Sequence, residues 1–119
     1  MKKIEIVVNP GKVEVVKNLL ISCGVGGAMF SNISGFGTQQ GKTYVYNGVT
    51  YEEHVLPKIK IETVIDDELV PVILSALSEV ATGKVGDGKV FVQPVDDAMR
   101  IRTGEKGLAA LRDADDSAD

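Results

Sequence analysis

The strictest constraint in this chain is the alternation of Lys58-Ile59-Lys60-Ile61-Glu62-Thr63-Val64-Ile65. Successive side chains of a β-strand point to opposite faces, so Ile59, Ile61 and Ile65 share one face while Lys58, Lys60 and Glu62 share the other. Such a strand is half-buried and needs a sheet with one face against a core. Lys3-Ile4-Glu5-Ile6-Val7-Val8 repeats the pattern, with Ile4, Ile6 and Val8 inward. On this pattern alone Lys58, where strand meets loop, reads as an edge charge.

Two helices fit between strands. Asn9-Pro10 predicts a helix start, with Asn9 as cap and Pro10 at the first helical position. Val13, Val16, Leu20 and Cys23 then fall on one face, with Lys12, Glu14, Lys17 and Asn18 largely elsewhere. Gly24 stops the helix, and Cys23 reads as a small buried hydrophobe. Ala28 to Phe36 is expected to be a second strand. After Ile65, Asp66-Asp67-Glu68 supplies an acidic helix start. Val70, Ile73, Leu74 and Leu77 form its apolar stripe, with Pro71 tolerated in the first turn. Lys89 to Val95 is the fourth strand, closed by Pro94. The order β-α-β-loop-β-α-β is the ferredoxin-like α+β arrangement: an antiparallel four-stranded sheet with both helices on one face. Its other face is left bare, which points to an oligomer.

A chain of 119 residues forms one domain, expected to span 1–111, with Arg112 to Asp119 a flexible acidic tail. A formal net charge of −4 argues against a nucleic-acid partner. One cysteine excludes an internal disulfide and offers no metal-ligand spacing. No apolar run is long enough to insert in a bilayer, and Met1-Lys2-Lys3 leads into no signal-like segment. A cytoplasmic protein is expected.

Chemistry concentrates in Thr82-Gly83-Lys84-Val85-Gly86-Asp87-Gly88-Lys89-Val90-Phe91. Glycines let backbone N–H groups converge on an anion, and Lys84 and Lys89 add positive charge. Gly83-x4-Gly88-Lys89 matches most of a Walker A pattern, but Val90 replaces the Ser/Thr that would hold Mg²⁺. The loop also runs from helix into strand, the reverse of a P-loop. It is a phosphate-loop candidate, weighed against a turn that merely reverses the chain. Asp87 suits stabilisation of the turn better than general-base chemistry, and no nucleophile–base set accompanies it, so the chain is not expected to be an enzyme.

The stretch from Gly37 to Lys58 is too long for an ordinary connection. Within it Asn47-Gly48 favours a tight hairpin turn through Tyr44-Val45-Tyr46. Its tyrosines favour a docking loop over a flexible excursion. His54, beside Glu52 and Glu53, reads as solvated rather than as a metal ligand. Arg100 and Arg102 stand two apart, so an extended segment would point both guanidiniums the same way as a phosphate clamp. The plainer reading is two solvated arginines balancing nearby acids.

Five motifs then carry a resemblance: Gly35-Phe36-Gly37-x-Gln39, Tyr46-x-Gly48-x-x-Tyr51, Leu56-Pro57-Lys58, Thr82 to Phe91, and Arg100-Ile101-Arg102-Thr103-Gly104-Glu105. With these in order from Met1 to about Leu111, the chain resembles the PII signal-transduction family. The resemblance implies a homotrimer with ATP or ADP between subunits. Gly86, Asp87, Gly88 and Lys89 would cradle phosphates, joined by Arg100 and Arg102 of the next subunit. Gly35, Gly37 and Val64 would line the nucleotide pocket, with Met29 and Thr38 beside it. Gln39 would ligate the Mg²⁺ of Mg-ATP and, with Lys58 and Gly86, hold 2-oxoglutarate. Residues of about 37–58 would be a T-loop docking on a transporter or metabolic enzyme, with Tyr51 a possible uridylylation site. Lys58 becomes on this view an anion ligand. Two positions depart from the family. Thr38 stands where relatives commonly carry an arginine, and Met29 where they often carry a threonine. The alternative is therefore an ADP/ATP sensor of the same fold that ignores 2-oxoglutarate and serves a different transporter.

Overall fold

A computed structural model describes residues 1–36, 42–53 and 55–112. Along the chain run β1 (Lys2–Val8), α1 (Val13–Ser22), β2 (Met29–Gly35), β3 (Lys42–Tyr46), β4 (Val49–Glu53), β5 (Leu56–Ile65), α2 (Leu69–Glu79), β6 (Lys89–Pro94) and the short α3 (Leu108–Leu111). Four strands form one sheet in the order β2-β5-β1-β6. All three pairings are antiparallel, with Ile6 opposite Ile61 and Val90, and Phe30 also opposite Ile61. This is the ferredoxin-like order expected from the two alternating strands, which are the central pair.

The period-2 pattern decides what is buried. Ile4, Ile6 and Val8 of β1 join Ile61 and Ile65 of β5, and Val16, Leu19 and Leu20 of α1 and Ile73 of α2 close over them. Both helices therefore cover one face. Cys23 packs at the margin of this core, as expected of a small hydrophobe. Thr63 shares the inward face and is buried, so its hydroxyl needs a partner. It donates to the Gly27 carbonyl at 2.6 Å and ties the α1–β2 connection to β5.

Neither α1 nor α2 covers the opposite face. There Glu62 accepts from Lys3 at 2.8 Å and from Lys60 at 3.1 Å. Those hydrogen bonds, Lys3 first, hold the Glu62 carboxyl below the usual carboxylate range.

Local expectations are corrected in two places. Pro10–Lys12 form a 3₁₀ turn, and the α-helix begins only at Val13. Asn9 heads that turn without capping it, because its side chain is engaged elsewhere. As expected of an acidic helix start, Asp66 and Asp67 lead into α2 with Glu68 at its N-cap, and the Glu68 amide donates to Asp66 Oδ1 at 3.3 Å.

The long connection contains a regular β3–β4 hairpin, a separate two-stranded sheet pairing Lys42 with Glu53 through to Tyr46 with Val49. The hairpin foreseen at Asn47-Gly48 forms there. Asn47 (φ 51°) and Gly48 (φ 76°) both take the positive φ of a type I′ turn, which matches the twist of the flanking strands.

Candidate functional site

At the end of the open face, the loop between α2 and β6 folds against the sheet and bounds a cleft of about 630 Å³. Gly35 and Lys58 enter it from the sheet, and Gly86, Asp87, Gly88 and Lys89 from the loop. The alternation that turns Ile59 and Ile61 toward the core puts Lys58 on the open face, because neighbouring residues in a strand point oppositely. Lys58 pairs with Ile33 and lies within β5, a strand with partners on both sides. The edge-charge reading of Lys58 is thereby corrected.

The glycine loop is held from within by one carboxylate. Asp87 Oδ1 accepts from Lys12 Nζ at 2.7 Å and from Thr82 Oγ1 at 2.6 Å. Asp87 Oδ2 accepts the amides of Thr82 at 3.0 Å and Gly83 at 2.9 Å. The Lys12 hydrogen bond, then Thr82, depresses the Asp87 carboxyl far below the usual range, since both favour the ionised form. Asp87 is thus a turn-former, and a depressed, fully engaged carboxylate is poorly suited to accept a proton near neutrality.

Gly88 seats the loop on the sheet. Its φ is 102°, and a Cβ there would come within 2.3 Å of the Val7 carbonyl oxygen and 2.9 Å of Val8 Cγ1. Only glycine lets the loop backbone approach β1 this closely. Lys84 and Lys89 are exposed, and neither forms an ion pair among the described residues, so their charge is available to an anion. A glycine loop with a close backbone approach and two lysines fits a phosphate group.

Two further residues escaped the sequence reading. Asn9 Nδ2 donates to the Gly86 carbonyl at 3.1 Å, and Asn9 Oδ1 accepts from Lys58 Nζ at 2.5 Å. Lys12, which falls off the apolar face of the expected helix, reaches Asp87 across 75 residues of sequence. Neither contact leaves a local signature. An asparagine before proline looks like a cap, and one lysine among several looks solvated.

The other named residues are distributed differently. Met29 and Val64 lie at the far end of the open face, with Met29 opposite Glu62 and Val64 opposite Lys3. Each is six residues from its counterpart in the cleft, Gly35 or Lys58, about 20 Å at the usual strand rise. Gly37, Thr38 and Gln39 lie outside the described residues, as does His54. The backbone of Tyr51 sits in the hairpin opposite Tyr44. Among the described residues no group of three or more His, Cys, Asp or Glu side chains is arranged to hold a metal.

Arg100 and Arg102 correct the expectation of an extended segment. Residues 101–103 form a turn, with the Gly104 amide donating to the Arg100 carbonyl at 2.7 Å. Met99 bridges Lys106 across it. The turn removes the period-2 geometry, so Arg100 points inward and Arg102 is exposed. The Arg100 guanidinium donates to Glu105 Oε1 at 3.2 Å, to the Ala110 carbonyl at 3.4 Å and to the Arg112 carbonyl. Neither arginine lines the cleft within its own chain.

Comparison with known proteins agrees with this fold. The family model for nitrogen regulatory protein P-II matches residues 1–105. The chain belongs to the nitrogen regulatory protein P-II family. Nitrogen regulatory protein P-II of Azospirillum brasilense is 47% identical over 112 residues, covering 93% of this chain and all of that protein. The Haemophilus influenzae and Synechocystis proteins of the same name are 46% and 44% identical over the same spans. P-II proteins are signalling regulators that act on target proteins. In this P-II chain the glycine loop, Gly35 and Lys58 meet in one cleft, and the β3–β4 hairpin lies in the connection between β2 and β5. No helix among the described residues is long and apolar enough to cross a membrane.

Proposed function

We propose that this P-II chain reports nitrogen, carbon and energy status by binding ATP or ADP between subunits of a homotrimer. Its T-loop hairpin would then regulate a target transporter or metabolic enzyme in the cytoplasm. The observation that carries the reading is the cleft: a backbone-rich glycine loop with exposed lysines and Lys58 line it together, so that a phosphate and a carboxylate would be held side by side. Gly86 to Lys89 would hold the phosphates. Mg²⁺ would come with ATP and neutralise phosphate charge, with Gln39 as its protein ligand. Lys58 and Gly86, with Gln39, would hold 2-oxoglutarate.

The separation of Met29 and Val64 from the cleft favours a site shared between copies, since one chain keeps the two groups about 20 Å apart. Exposed Met29, Phe36, Phe91 and Ile101, the last 90% accessible, supply apolar surface for that assembly. Gly35, Gly37 and Thr38 would meet the nucleotide from one subunit and Arg100 and Arg102 from its neighbour. Arg100 would have to release part of its carbonyl network to do so, whereas Arg102 is already exposed. A ligand moves the hairpin only by binding one hairpin state better than another. ATP with 2-oxoglutarate and ADP would compete for that choice, whether or not Tyr51 is modified.

Thr38 favours a second reading, a sensor of ADP and ATP that ignores 2-oxoglutarate and regulates a different transporter. Calorimetric titration of ATP and ADP with Mg²⁺, each with and without 2-oxoglutarate, separates them. The first reading expects 2-oxoglutarate to tighten ATP by about 5- to 150-fold, and ATP to tighten 2-oxoglutarate equally. Lys58→Met should abolish this while leaving ATP binding within a few-fold. Nucleotide binding indifferent to 2-oxoglutarate selects the second reading. Absence of nucleotide binding refutes both.

A further inference from the structure

The Asn9 side chain spans the cleft's two components, and its chemistry fits that place. Lysine offers only donors and a backbone carbonyl only acceptors. The observed contacts, Oδ1 to Lys58 Nζ at 2.5 Å and Nδ2 to the Gly86 carbonyl at 3.1 Å, therefore use the one orientation of the amide that satisfies both. Lys58 lies 49 residues away along the chain and Gly86 lies 77 away. Asn9 itself sits where β1 leaves the sheet, ahead of the rigid Pro10–Lys12 turn. That turn ends in Lys12, which grips Asp87 in the same glycine loop. One short segment thus holds the loop at two adjacent residues, Gly86 and Asp87, and the Lys58 ammonium at the same time.

We infer that Asn9 is the positioning residue that couples the Lys58 carboxylate site to the phosphate loop. The inference rests on the functional reading above and names the link within it. A carboxamide is neutral, so Asn9 orients the Lys58 ammonium without bringing a negative charge of its own to the site. A carboxylate at position 9 would instead pair with Lys58, compete with the ligand and leave the Gly86 carbonyl without its donor. Displacement of Lys58 by a bound oxoacid passes through the rigid amide plane to Gly86, and so to the backbone that faces the nucleotide.

The test measures ATP affinity with and without 2-oxoglutarate, in Mg²⁺, for the wild-type protein, Asn9→Ala and Asn9→Asp. Circular dichroism and the oligomeric state of each are checked at matched concentration. Asn9→Ala is expected to weaken ATP alone by no more than about threefold, while the tightening by 2-oxoglutarate falls by about fivefold or more. Asn9→Asp, nearly the same shape, is expected to weaken 2-oxoglutarate further, by about tenfold or more, through its charge. A merely structural role would shift ATP affinity equally with and without 2-oxoglutarate, and would rank the isosteric Asp variant as the milder change. Either result overturns the inference while leaving the functional reading intact. A wild-type protein that binds ATP without responding to 2-oxoglutarate overturns the oxoacid reading itself, and the coupling role with it.

Discussion

The glycine loop can be tested by comparing alanine at Gly88 with alanine at Gly83. Both positions have positive φ, 102° and 78°, so a side chain at either brings a backbone penalty of about 1–2 kcal/mol. The surroundings differ. At Gly83 a Cβ meets nothing within 4 Å, whereas at Gly88 it lies 2.3 Å from the Val7 carbonyl oxygen. That oxygen belongs to central β1 and cannot rotate away as a side-chain tip could. The loop or the Val7–Lys89 pairing must shift, adding the about 1–3 kcal/mol typical of overpacking. Gly83→Ala should therefore cost about 1–2 kcal/mol and Gly88→Ala about 2–5 kcal/mol. Urea unfolding of both variants at one protein concentration measures this, since oligomer stability depends on concentration. ATP titration should show the larger loss for Gly88→Ala, because its displaced backbone is the phosphate cradle. Equal destabilisation of the two variants would refute the close approach and leave φ alone as the reason for glycine.

Three further outcomes follow from named contacts. The Asp87 carboxyl is depressed in the folded protein, so its stabilising effect is present above the ordinary aspartate pKa of about 4 and is lost as pH falls through the depressed value. Asp87→Asn should lower the melting temperature at pH 7, with the gap to wild type narrowing below about pH 4; a constant gap across a pH series would refute the link. Arg100→Ala removes a buried guanidinium from Glu105 and two carbonyls, and should cost about 1–3 kcal/mol in chemical denaturation while weakening ATP and ADP. Unchanged nucleotide affinity would assign Arg100 to structure alone. Deleting residues 43–53 removes most of a hairpin that forms its own sheet, and should change core stability by less than about 0.5 kcal/mol; a large drop in melting temperature would show that it packs on the body.

Legibility followed the range of the interaction. Lys58 was placed on the open face by the period of two that turns Ile59 and Ile61 toward the core, and Asn47-Gly48 announced its turn through the φ values that it tolerates. The glycine loop announced itself because glycine is needed where backbone approaches backbone. The extended geometry expected at Arg100 and Arg102 does not form, because a turn closed by the Gly104 amide takes its place and no local pattern announces it. Asn9 looked like a helix cap because capping is its commonest local use, yet both ends of its amide are taken by residues distant in sequence.

By itself the sequence determined the strand and helix order, the inward faces of β1 and β5, the hairpin turn and the chemical character of the loop from Thr82 to Lys89. These are set by dihedral preferences and side-chain periodicity, which act within a few residues. Only the tertiary structure decided that Asn9 and Lys12 converge on that loop, that Lys58 shares its cleft, and that Arg100 turns inward. Those outcomes depend on which strands become neighbours and on partners for buried or clustered polar groups. Sheet pairing brings such partners together from distant parts of the chain, where no local pattern records them.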